Sequence, residues 1–430
     1  MGRTYRWIVL LVAAAAMVGS LPGRTQGLGL VTEPLLAELG IDRVSYAALN
    51  FWATVIGSGG ALGIGYAVDR LGSRIVLTSV LFALGAVVCL MSLSSSYAAL
   101  AVWITLTRAL GQSALSVVSL AIVGHWFLRR IDKAMAVYSV VISIGFMAAF
   151  PLVGFSVQAW GWRAAWMGVG LAVAAVLAPL AFLIVRRSPE AVGVRSRFFE
   201  SGHEKAPPGL EKSRSDPKAA NALAGYTWTA ALAMPSFWVF AIGTALYGLV
   251  ASGIGLFNES ILAERGFGPD VYYQTLAVTA MTALAGNFLG GWLSARIALG
   301  RLMAVSQFIL AAGVFALPFV GTMAHVLAWA VAMGLGGGLV MVLFFSVWGR
   351  VFGRLHLGRI QGVAQALTVL ASAVGPLMVA WCLEWTGSYT AVFQILSAVI
   401  GAAALAALLV SLPDAPPVLN TLNPTGDTAG

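Results

Sequence analysis

The chain has 430 residues, of which 60% are hydrophobic and only 10% are charged. Water-soluble domains carry roughly 25% charged residues. A single water-soluble core could not bury this much apolar surface, so the composition excludes an ordinary soluble domain and indicates that lipid is the main solvent of the chain. The net charge of +9 suggests a nucleic-acid partner, but the positions of the charges argue against one.

Twelve apolar runs are long enough to cross a bilayer. A spanning helix needs about 20 mostly apolar residues, and continuous runs of this length exclude the alternating pattern of a membrane β-barrel. The sequence therefore predicts an all-α membrane protein with twelve transmembrane helices, numbered here as spans 1 to 12. The predicted spans are 6–34, 46–67, 75–94, 97–124, 134–157, 163–185, 235–258, 271–293, 302–321, 325–348, 361–382 and 389–411.

The composition changes between spans 6 and 7. Residues 186–228 begin with a polar, charged and proline-containing stretch, which is typical of a flexible linker. This linker separates an N-terminal half (1–185) from a C-terminal half (229–412), each with six spans. Residues 413–430 are rich in proline, asparagine, threonine and glycine and are predicted to form a disordered tail.

Lysine and arginine are distributed unequally between the two sides of the predicted bundle. Of the 25 basic residues, 20 lie on the side of the termini and three (Arg43, Arg163 and Arg265) on the opposite side. Because cytoplasmic loops are enriched in basic residues, we expect both termini to be cytoplasmic, in a multi-pass protein of the plasma (inner) membrane. The same distribution explains the positive net charge without a nucleic-acid partner.

The two halves share a repeated segment. Residues 27–41 (GLGLVTEPLLAELGI) and 253–267 (GIGLFNESILAERGF) are identical at eight of fifteen positions, at an offset of 226 residues. The repeat predicts two pseudo-symmetric six-helix bundles, an architecture found among membrane transporters. Residue pairs at this offset include Glu33 and Glu259, Glu38 and Glu264, and Tyr46 and Tyr272.

The loop after span 2 carries a specific motif. Residues 65–74, GYAVDRLGSR, resemble the G-x-x-x-D-R-x-G-x-R signature of the major facilitator superfamily, at the place where that family carries it. The resemblance implies the major facilitator fold and a secondary transporter that works by alternating access. We expect the motif to act in a cytoplasmic gate, although its arginines could equally be anchors at the lipid headgroups. The gating candidates are Gly65, Asp69, Arg70, Gly72 and Arg74.

Two further segments, 124–170 and 352–377, resemble the branch of monocarboxylate transporters and oxalate:formate antiporters. The first contains Trp-Phe followed by two arginines, a Pro-Leu pair and a Gly-Trp-Arg sequence. Transporters of that branch bind a carboxylate with basic residues on the eighth helix and, in some, the eleventh. Here the membrane parts of spans 8 and 11 carry no charge, and Arg24 corresponds to the first-helix cation of the branch.

Two arginines lie inside predicted spans, where a charged side chain costs about 2.5–3.5 kcal/mol and usually faces the bundle interior. Arg24 follows a Gly-Ser-Leu-Pro-Gly sequence that predicts a kink in span 1. We expect Arg24, with Gln26, to anchor a substrate carboxylate. Arg108 is expected either to act in substrate binding or coupling, or to form a structural interhelical ion pair. Polar residues recur around it at helical spacing: Thr105, Arg108, Gln112, Ser116 and Ser119.

Polar side chains also mark spans of the C-terminal half that are expected to line the same cavity. Each hydroxyl or amide could instead form a hydrogen bond between helices, and the sequence leaves both interpretations open. The candidates for substrate contact are Tyr247 and Asn258 in span 7, Thr275 and Thr279 in span 8, and Gln365 and Thr368 in span 11.

Proton coupling would need a carboxyl group that can gain and lose a proton. Glu33 and Glu259 are the candidates, since burial favours the neutral form of a carboxyl group. They could equally be exposed at the helix ends, where Glu38 and Glu264 are expected to lie.

The sequence thus predicts a monomeric secondary transporter for a small organic anion, expected to be a carboxylate, with or without a coupled proton. The alternative is a transporter or efflux pump of the same fold for a neutral or amphipathic molecule. A membrane enzyme or sensor is disfavoured, because no catalytic constellation, metal-ligand cluster or nucleotide-binding loop is recognisable. No cofactor or metal is expected. The sequence does not define the substrate, the coupling ion or the direction of transport.

Overall fold

The computed structural model describes residues 2–59, 64–127, 131–186, 225–353 and 357–413; most of the predicted linker and nearly all of the tail lie outside these ranges. The helices of the N-terminal half are α1 (Gly2–Gly19), α2 (Thr25–Gly29), α3 (Thr32–Leu39), α4 (Arg43–Ser58), α5 (Ile64–Leu71), α6 (Ser73–Ser92), α7 (Tyr97–Thr107), α8 (Ser116–Trp126), α9 (Ile131–Leu171) and α10 (Ala178–Ile184). Those of the C-terminal half are α11 (Trp228–Ala233), α12 (Pro235–Ala263), α13 (Pro269–Ser294), α14 (Leu299–Ala316), α15 (Met323–Val351), α16 (Leu357–Thr386) and α17 (Thr390–Leu409).

The described helices account for twelve membrane spans. Nine helical stretches within the described ranges are long and apolar enough to cross a bilayer. One of them, Ala134–Ile184, contains spans 5 and 6, because Gly161 (φ 80°) interrupts the helix. Span 1 begins with the shorter apolar helix Thr4–Gly19, and span 2 is described as α4 and α5, with residues 60–63 outside the described ranges. The prediction of an all-α protein with twelve spans is confirmed.

The two halves pack against each other through three sets of helices. α2 and α3 of span 1 contact α12 of span 7, α4 of span 2 contacts α16 of span 11, and α9 of span 5 contacts α13 of span 8. In the repeat, span 2 corresponds to span 8 and span 5 corresponds to span 11. The contact of span 2 with span 11 is therefore equivalent to the contact of span 8 with span 5. The first set lies at the end of span 1, remote from the start of the chain.

The halves come closest where side chains are absent. A methyl group on Gly29 in α2 would lie 2.1 Å from the carbonyl oxygen of Gly255 in α12, and one on Gly154 would lie 2.5 Å from the ring of Tyr273. Nearby, the Gln158 amide donates a hydrogen bond of 2.9 Å to the Asp270 carboxylate. The halves are therefore in direct contact at this end. We call this contact the seam, defined by Gly29, Gly154, Gln158, Gly255, Asp270 and Tyr273.

Near its end, each repeated segment has a glutamate that accepts hydrogen bonds from a turn in the same half. Glu38 accepts hydrogen bonds from the Arg163 guanidinium (2.7 Å) and the Trp162 indole (2.5 Å), between spans 5 and 6. These two bonds, with Arg163 the larger cause, hold the pKa of Glu38 below its usual range. Glu264 accepts a hydrogen bond of 2.7 Å from the Ser388 hydroxyl, between spans 11 and 12. The two glutamates lie at helix ends, as expected, and they also fasten these turns.

Replacing Gly29 with alanine is expected to open the seam, because overpacking against fixed backbone costs typically 1–3 kcal/mol. The measurement is the rate at which a short bismaleimide joins Q158C to D270C, with Cys89 and Cys382 replaced by serine. We expect this rate to fall about tenfold in G29A. G168A, at a position with open space around it, is the control and should leave the rate unchanged. Equal rates in G29A and G168A would contradict the close contact.

Candidate functional site

Span 1 is broken at the place that its sequence predicts. α1 ends at Gly19, and Leu21–Gly23 forms a 3-10 turn that contains Pro22. Proline has no backbone N–H with which to continue the helix, and Arg24 adopts an extended conformation (φ −93°, ψ 151°) before α2 begins at Thr25. The predicted kink is confirmed, and it places Arg24 at a joint between two helices.

Arg24 is a half-buried cation with no acidic partner in the described part of the chain. Its Nε donates to the Ser20 hydroxyl (2.8 Å), and its Nη2 lies 2.9 Å from the Met17 sulfur and 3.3 Å from the Ser116 hydroxyl. The guanidinium carbon lies 5.2 Å from the centre of the Phe146 ring in span 5. Nη1 has no hydrogen-bond partner among the described residues. A planar guanidinium with unused donors is suited to bind a carboxylate.

Arg108, in contrast, has both terminal nitrogens bound to neutral acceptors, while its Nε is buried without a partner in the described ranges. It lies at the start of a π-helical segment of span 4 and is 2% exposed. It donates to the Thr25 hydroxyl (2.8 Å) and to the amide oxygens of Gln112 and Asn50 (both 2.9 Å). Because these acceptors belong to spans 1, 4 and 2, Arg108 joins three spans. All three are neutral, so the ion pair considered from the sequence is not among its contacts in the described ranges. Direct contact with substrate stays a prediction.

The polar stripe predicted on span 4 faces span 1. Gln112 and Ser116 accept hydrogen bonds from Arg108 and Arg24, respectively. Further along, the Ser119 hydroxyl donates to the carbonyl oxygen of Ala13 (2.7 Å) and lies 2.5 Å from a tyrosine hydroxyl of span 5. The stripe therefore connects both arginines to the packing between spans 1, 4 and 5.

In span 8, two predicted threonines form hydrogen bonds within the C-terminal half. The Asn258 amide, 3% exposed, lies 3.5 Å from the Thr275 hydroxyl, which donates to the carbonyl oxygen of Tyr272 at 2.6 Å. The Thr279 hydroxyl lies 3.4 Å from the carbonyl oxygen of Ala330 in span 10. Hydrogen bonding between or within helices thus accounts for both threonines in this conformation, and their contact with substrate stays a prediction.

The remaining polar candidates lie in three different surroundings. The Tyr247 hydroxyl packs on Gly337 of span 10, where an added methyl group would lie 2.6 Å from it. Thr368 donates to a carbonyl oxygen of its own helix (3.0 Å), and Gln365 is exposed. The side chain of Gln26 packs against α12 near the seam. The structure therefore brings Gln26 to the contact between the halves, some distance along span 1 from the partners of Arg24.

The two candidate proton carriers have different partners despite their symmetric positions. Glu33 forms an ion pair of 2.5 Å with Arg43. Glu259 has no ion pair in the described ranges, and its Oε2 atom is buried without a hydrogen bond. The two carboxyl groups interact electrostatically with each other, and Glu259 also interacts with Tyr272. The repeat thus brings both glutamates close to the contact between the halves, but Arg43 forms an ion pair with Glu33 only.

The motif after span 2 is described in part. Gly72 has φ 83°, a conformation that favours glycine, and it connects α5 to α6. The Arg74 Nε donates to the carbonyl oxygen of Phe182 (2.7 Å), and the guanidinium lies 3.9 Å from the centre of that ring. Arg74 is therefore bound within its own half in this conformation, Arg70 is exposed, and the gate stays a prediction. The surroundings of two residues of the motif, Gly65 and Asp69, lie outside what the structure describes.

The side chains in the described ranges do not form a cluster that could bind a metal ion. No group of three His, Cys, Asp or Glu side chains comes together there. Both cysteines, Cys89 and Cys382, are free thiols on different halves. The expected absence of a metal or cofactor stays a prediction.

Part of the environment of Arg24 is not marked in the sequence. Ser20 precedes Arg24 by four residues and could have been found from helical spacing. Met17 and Phe146 are apolar residues in apolar spans, so no local pattern distinguishes them. Asn50, the span 2 acceptor of Arg108, is a single amide in an apolar run, so no local pattern distinguishes it either.

The sequence profile of the Major Facilitator Superfamily matches residues 7–258 and, separately, residues 240–428. The chain belongs to the major facilitator superfamily. This membership confirms the resemblance carried by the motif after span 2. It also makes the chain a multi-pass membrane transport protein rather than an enzyme.

Similar proteins support the predicted branch. The chain is 27% identical over 295 residues to Monocarboxylate transporter 12-B of Danio rerio, covering 64% of this chain and 60% of that protein. It is 24% identical over 379 residues to the Oxalate:formate antiporter of Oxalobacter formigenes, covering 86% and 83%. The chain thus matches less than two thirds of the length of the first of these relatives.

Among solved structures, the fold is similar to that of a bacterial homolog of the human lysosomal transporter Spinster. The TM-score is 0.66 at 16% identity for an inward-facing, unoccupied structure, covering 94% of this chain and 93% of the other. For the inward-facing, occupied structure the TM-score is 0.65. At this identity the similarity establishes the shared fold alone.

Replacing Arg108 with alanine is expected to destabilise the protein more than replacing Arg24. R108A leaves the amide oxygens of Asn50 and Gln112 without their donor, and each unsatisfied buried group costs about 1–3 kcal/mol. R24A removes weaker contacts from a half-buried site. Thermal unfolding in detergent should show a Tm lower by about 5 °C in R108A and a smaller change in R24A. A larger loss in R24A would contradict these assignments.

Proposed function

We propose that this chain is a secondary transporter that moves a small organic anion, a carboxylate, by alternating access. The supporting observation is Arg24, a half-buried guanidinium that has an unused nitrogen and no acidic partner among the described residues. A charge within the membrane needs compensation. A substrate carboxylate would supply that charge and could accept two parallel hydrogen bonds from the guanidinium.

The two halves would make different contacts with the substrate. In the N-terminal half, Arg24 binds the carboxylate, and Arg108 with Gln112 holds the broken part of span 1 in position. In the C-terminal half, the membrane parts of spans 8 and 11 have no charge, so neutral groups would contact the body of the substrate. The proposed contacts there are Tyr247, Asn258, Thr275, Thr279, Gln365 and Thr368.

The names of the relatives agree with a carboxylate substrate. Monocarboxylates, oxalate and formate all carry at least one carboxylate group. The identity of 24–27% does not identify the molecule. Because span 8 has no cation here, we place the anion contact on span 1.

The orientation follows from the basic residues. With 20 of them on the side of the termini, we propose that the termini are cytoplasmic, in the plasma (inner) membrane, and that the seam faces outward. The described conformation then has its outer side closed. Transport would require the seam to open while the cytoplasmic motif, with Gly65, Asp69, Arg70, Gly72 and Arg74, closes the opposite side.

Replacing Arg24 is expected to reduce uptake into proteoliposomes of labelled formate, oxalate or lactate, whichever the wild-type protein accumulates. A hydrogen bond to a charged group contributes about 1.5–3 kcal/mol, so R24A should lose about tenfold to a hundredfold of the uptake rate at low substrate concentration. R24K keeps the charge without the planar fork and should lose less. R301A, which removes an exposed arginine of α14, is the control. Normal uptake by R24A would exclude Arg24 as the anchor.

Carboxylates and neutral molecules of the same shape should differ in binding. A ligand that binds only the folded state raises its stability, by about 2.7 kcal/mol at a hundredfold excess over Kd. We expect a panel of small carboxylates, but not the matching amides, to raise the Tm of the purified protein, and R24A to abolish this shift. Shifts produced by neutral or amphipathic compounds alone would instead favour the alternative of a neutral-solute transporter or efflux pump.

A further inference from the structure

Glu259 lies at a distorted position of span 7. α12 is continuous from Pro235 to Ala263 except at Phe257, whose φ of −117° and ψ of 15° are not helical. The next two residues are Asn258 and Glu259. The distortion occurs just after Gly255, where span 7 meets span 1.

Several polar atoms beside this distortion are buried without partners. Within the described ranges, the Oε2 atom of Glu259, the Oδ1 atom of Asn258 and the hydroxyl of Tyr272 have no hydrogen-bond partner, and the Oε1 atom of the ion-paired Glu33 has none either. Asn258 is 3% exposed and Tyr272 is fully buried. Native proteins rarely leave such atoms unpaired, and each one requires an explanation. The Oδ1 atom of Asn258 can only accept a hydrogen bond, and so can the Oε2 atom of Glu259 when it is ionised, so an additional donor at this place would reduce the number of unpaired acceptors.

The charges around Glu259 do not balance. Glu33 interacts with it from span 1 and is itself paired with Arg43 from span 2, so one cation serves two carboxyl groups. Further along, Arg265 is paired with Glu264. The titratable groups that interact with Glu259 or with its neighbour Glu33 are Tyr272 and Tyr273 from span 8, Tyr46 from span 2 and Tyr389 from the start of span 12, and Asp270 interacts with Tyr273.

We infer that Glu259 is a proton-binding site that is completed when the seam closes: one proton is bound at Glu259 in the closed conformation and released when the seam opens. In the described conformation Glu259 is half-buried and its Oε2 atom is covered, so its ionised form would lie near the Glu33 carboxylate, only partly in water and without a cation of its own. The protonated group instead adds an O–H donor to a cluster rich in acceptors. Opening the seam returns the carboxylate to water. The inference rests on the proposed alternating access and selects Glu259, rather than the neutralised Glu33, as the proton-binding group.

The test measures seam closure against pH without any substrate. Spin labels are attached at L93C and G321C, which are exposed positions in loops of the two halves on the side of the seam, with Cys89 and Cys382 replaced by serine. Double electron–electron resonance between pH 5 and 9 then gives the populations of the closed and open conformations. For the wild type we expect the closed-to-open ratio to fall as pH rises, by up to tenfold per pH unit, the slope for one proton.

The variants identify the group responsible. E259Q imitates the protonated carboxyl and should stay closed across the whole pH range. E264Q removes the ion-paired glutamate of the same segment and should respond to pH as the wild type does. E33Q frees Arg43 to stabilise an ionised Glu259, so its transition should move to lower pH.

Three results would each overturn the inference: a wild-type ratio that does not depend on pH, a wild-type response in E259Q, or an unmoved transition in E33Q. The first needs no variant, so it decides the question even if E259Q fails to fold. Because no carboxylate is present and Arg24 is unchanged, the outcome is independent of the uptake and binding tests of the proposed substrate.

Discussion

The contact of Gly29 with Gly255 is the constraint on which the closed conformation depends. A methyl group on Gly29 would lie 2.1 Å from the carbonyl oxygen of Gly255, so the Gly29 position requires glycine, and the two positions are equivalent in the repeat. Because the segment packs against its own copy here, another equivalent pair, Glu33 and Glu259, is brought within electrostatic reach. This is how two glutamates come to lie beside each other, an arrangement that neither half would produce alone.

The two halves have the same fold, but they differ in the side chains at equivalent positions. The repeat position of Arg24 is Val250, a buried apolar residue, and the partner of Glu33 has no equivalent beside Glu259. The N-terminal half thus contains two arginines bound to neutral groups, whereas the C-terminal half presents hydroxyls and amides. Duplication accounts for the shape of the bundle, and divergence of single side chains accounts for the different chemistry of the two halves.

Much of the fold follows from local sequence, because lipid allows few backbone structures. The number of spans, the break around Pro22 and the duplication could be predicted from apolar run length, proline chemistry and sequence identity. The contacts of Arg24 and Arg108 could not, since Phe146, Ser116 and Asn50 come from three other spans. The pairing of Glu33 with Arg43 was equally hidden, although only ten residues separate them, because it depends on how α3 and α4 are oriented around their turn.

Glu38 and Glu264 have a mechanical consequence. Each ties the end of the first span of its half to the turn between the fifth and sixth spans, and each of these turns contains a glycine in the left-handed region, Gly161 or Gly387. These hydrogen bonds tie the first span of each half to its last two spans. We expect bending to occur where the backbone departs from helical geometry, at the 3-10 turn of span 1 and at the non-helical residue of span 7. The elements that would move are the same ones that hold Arg24 and adjoin Glu259.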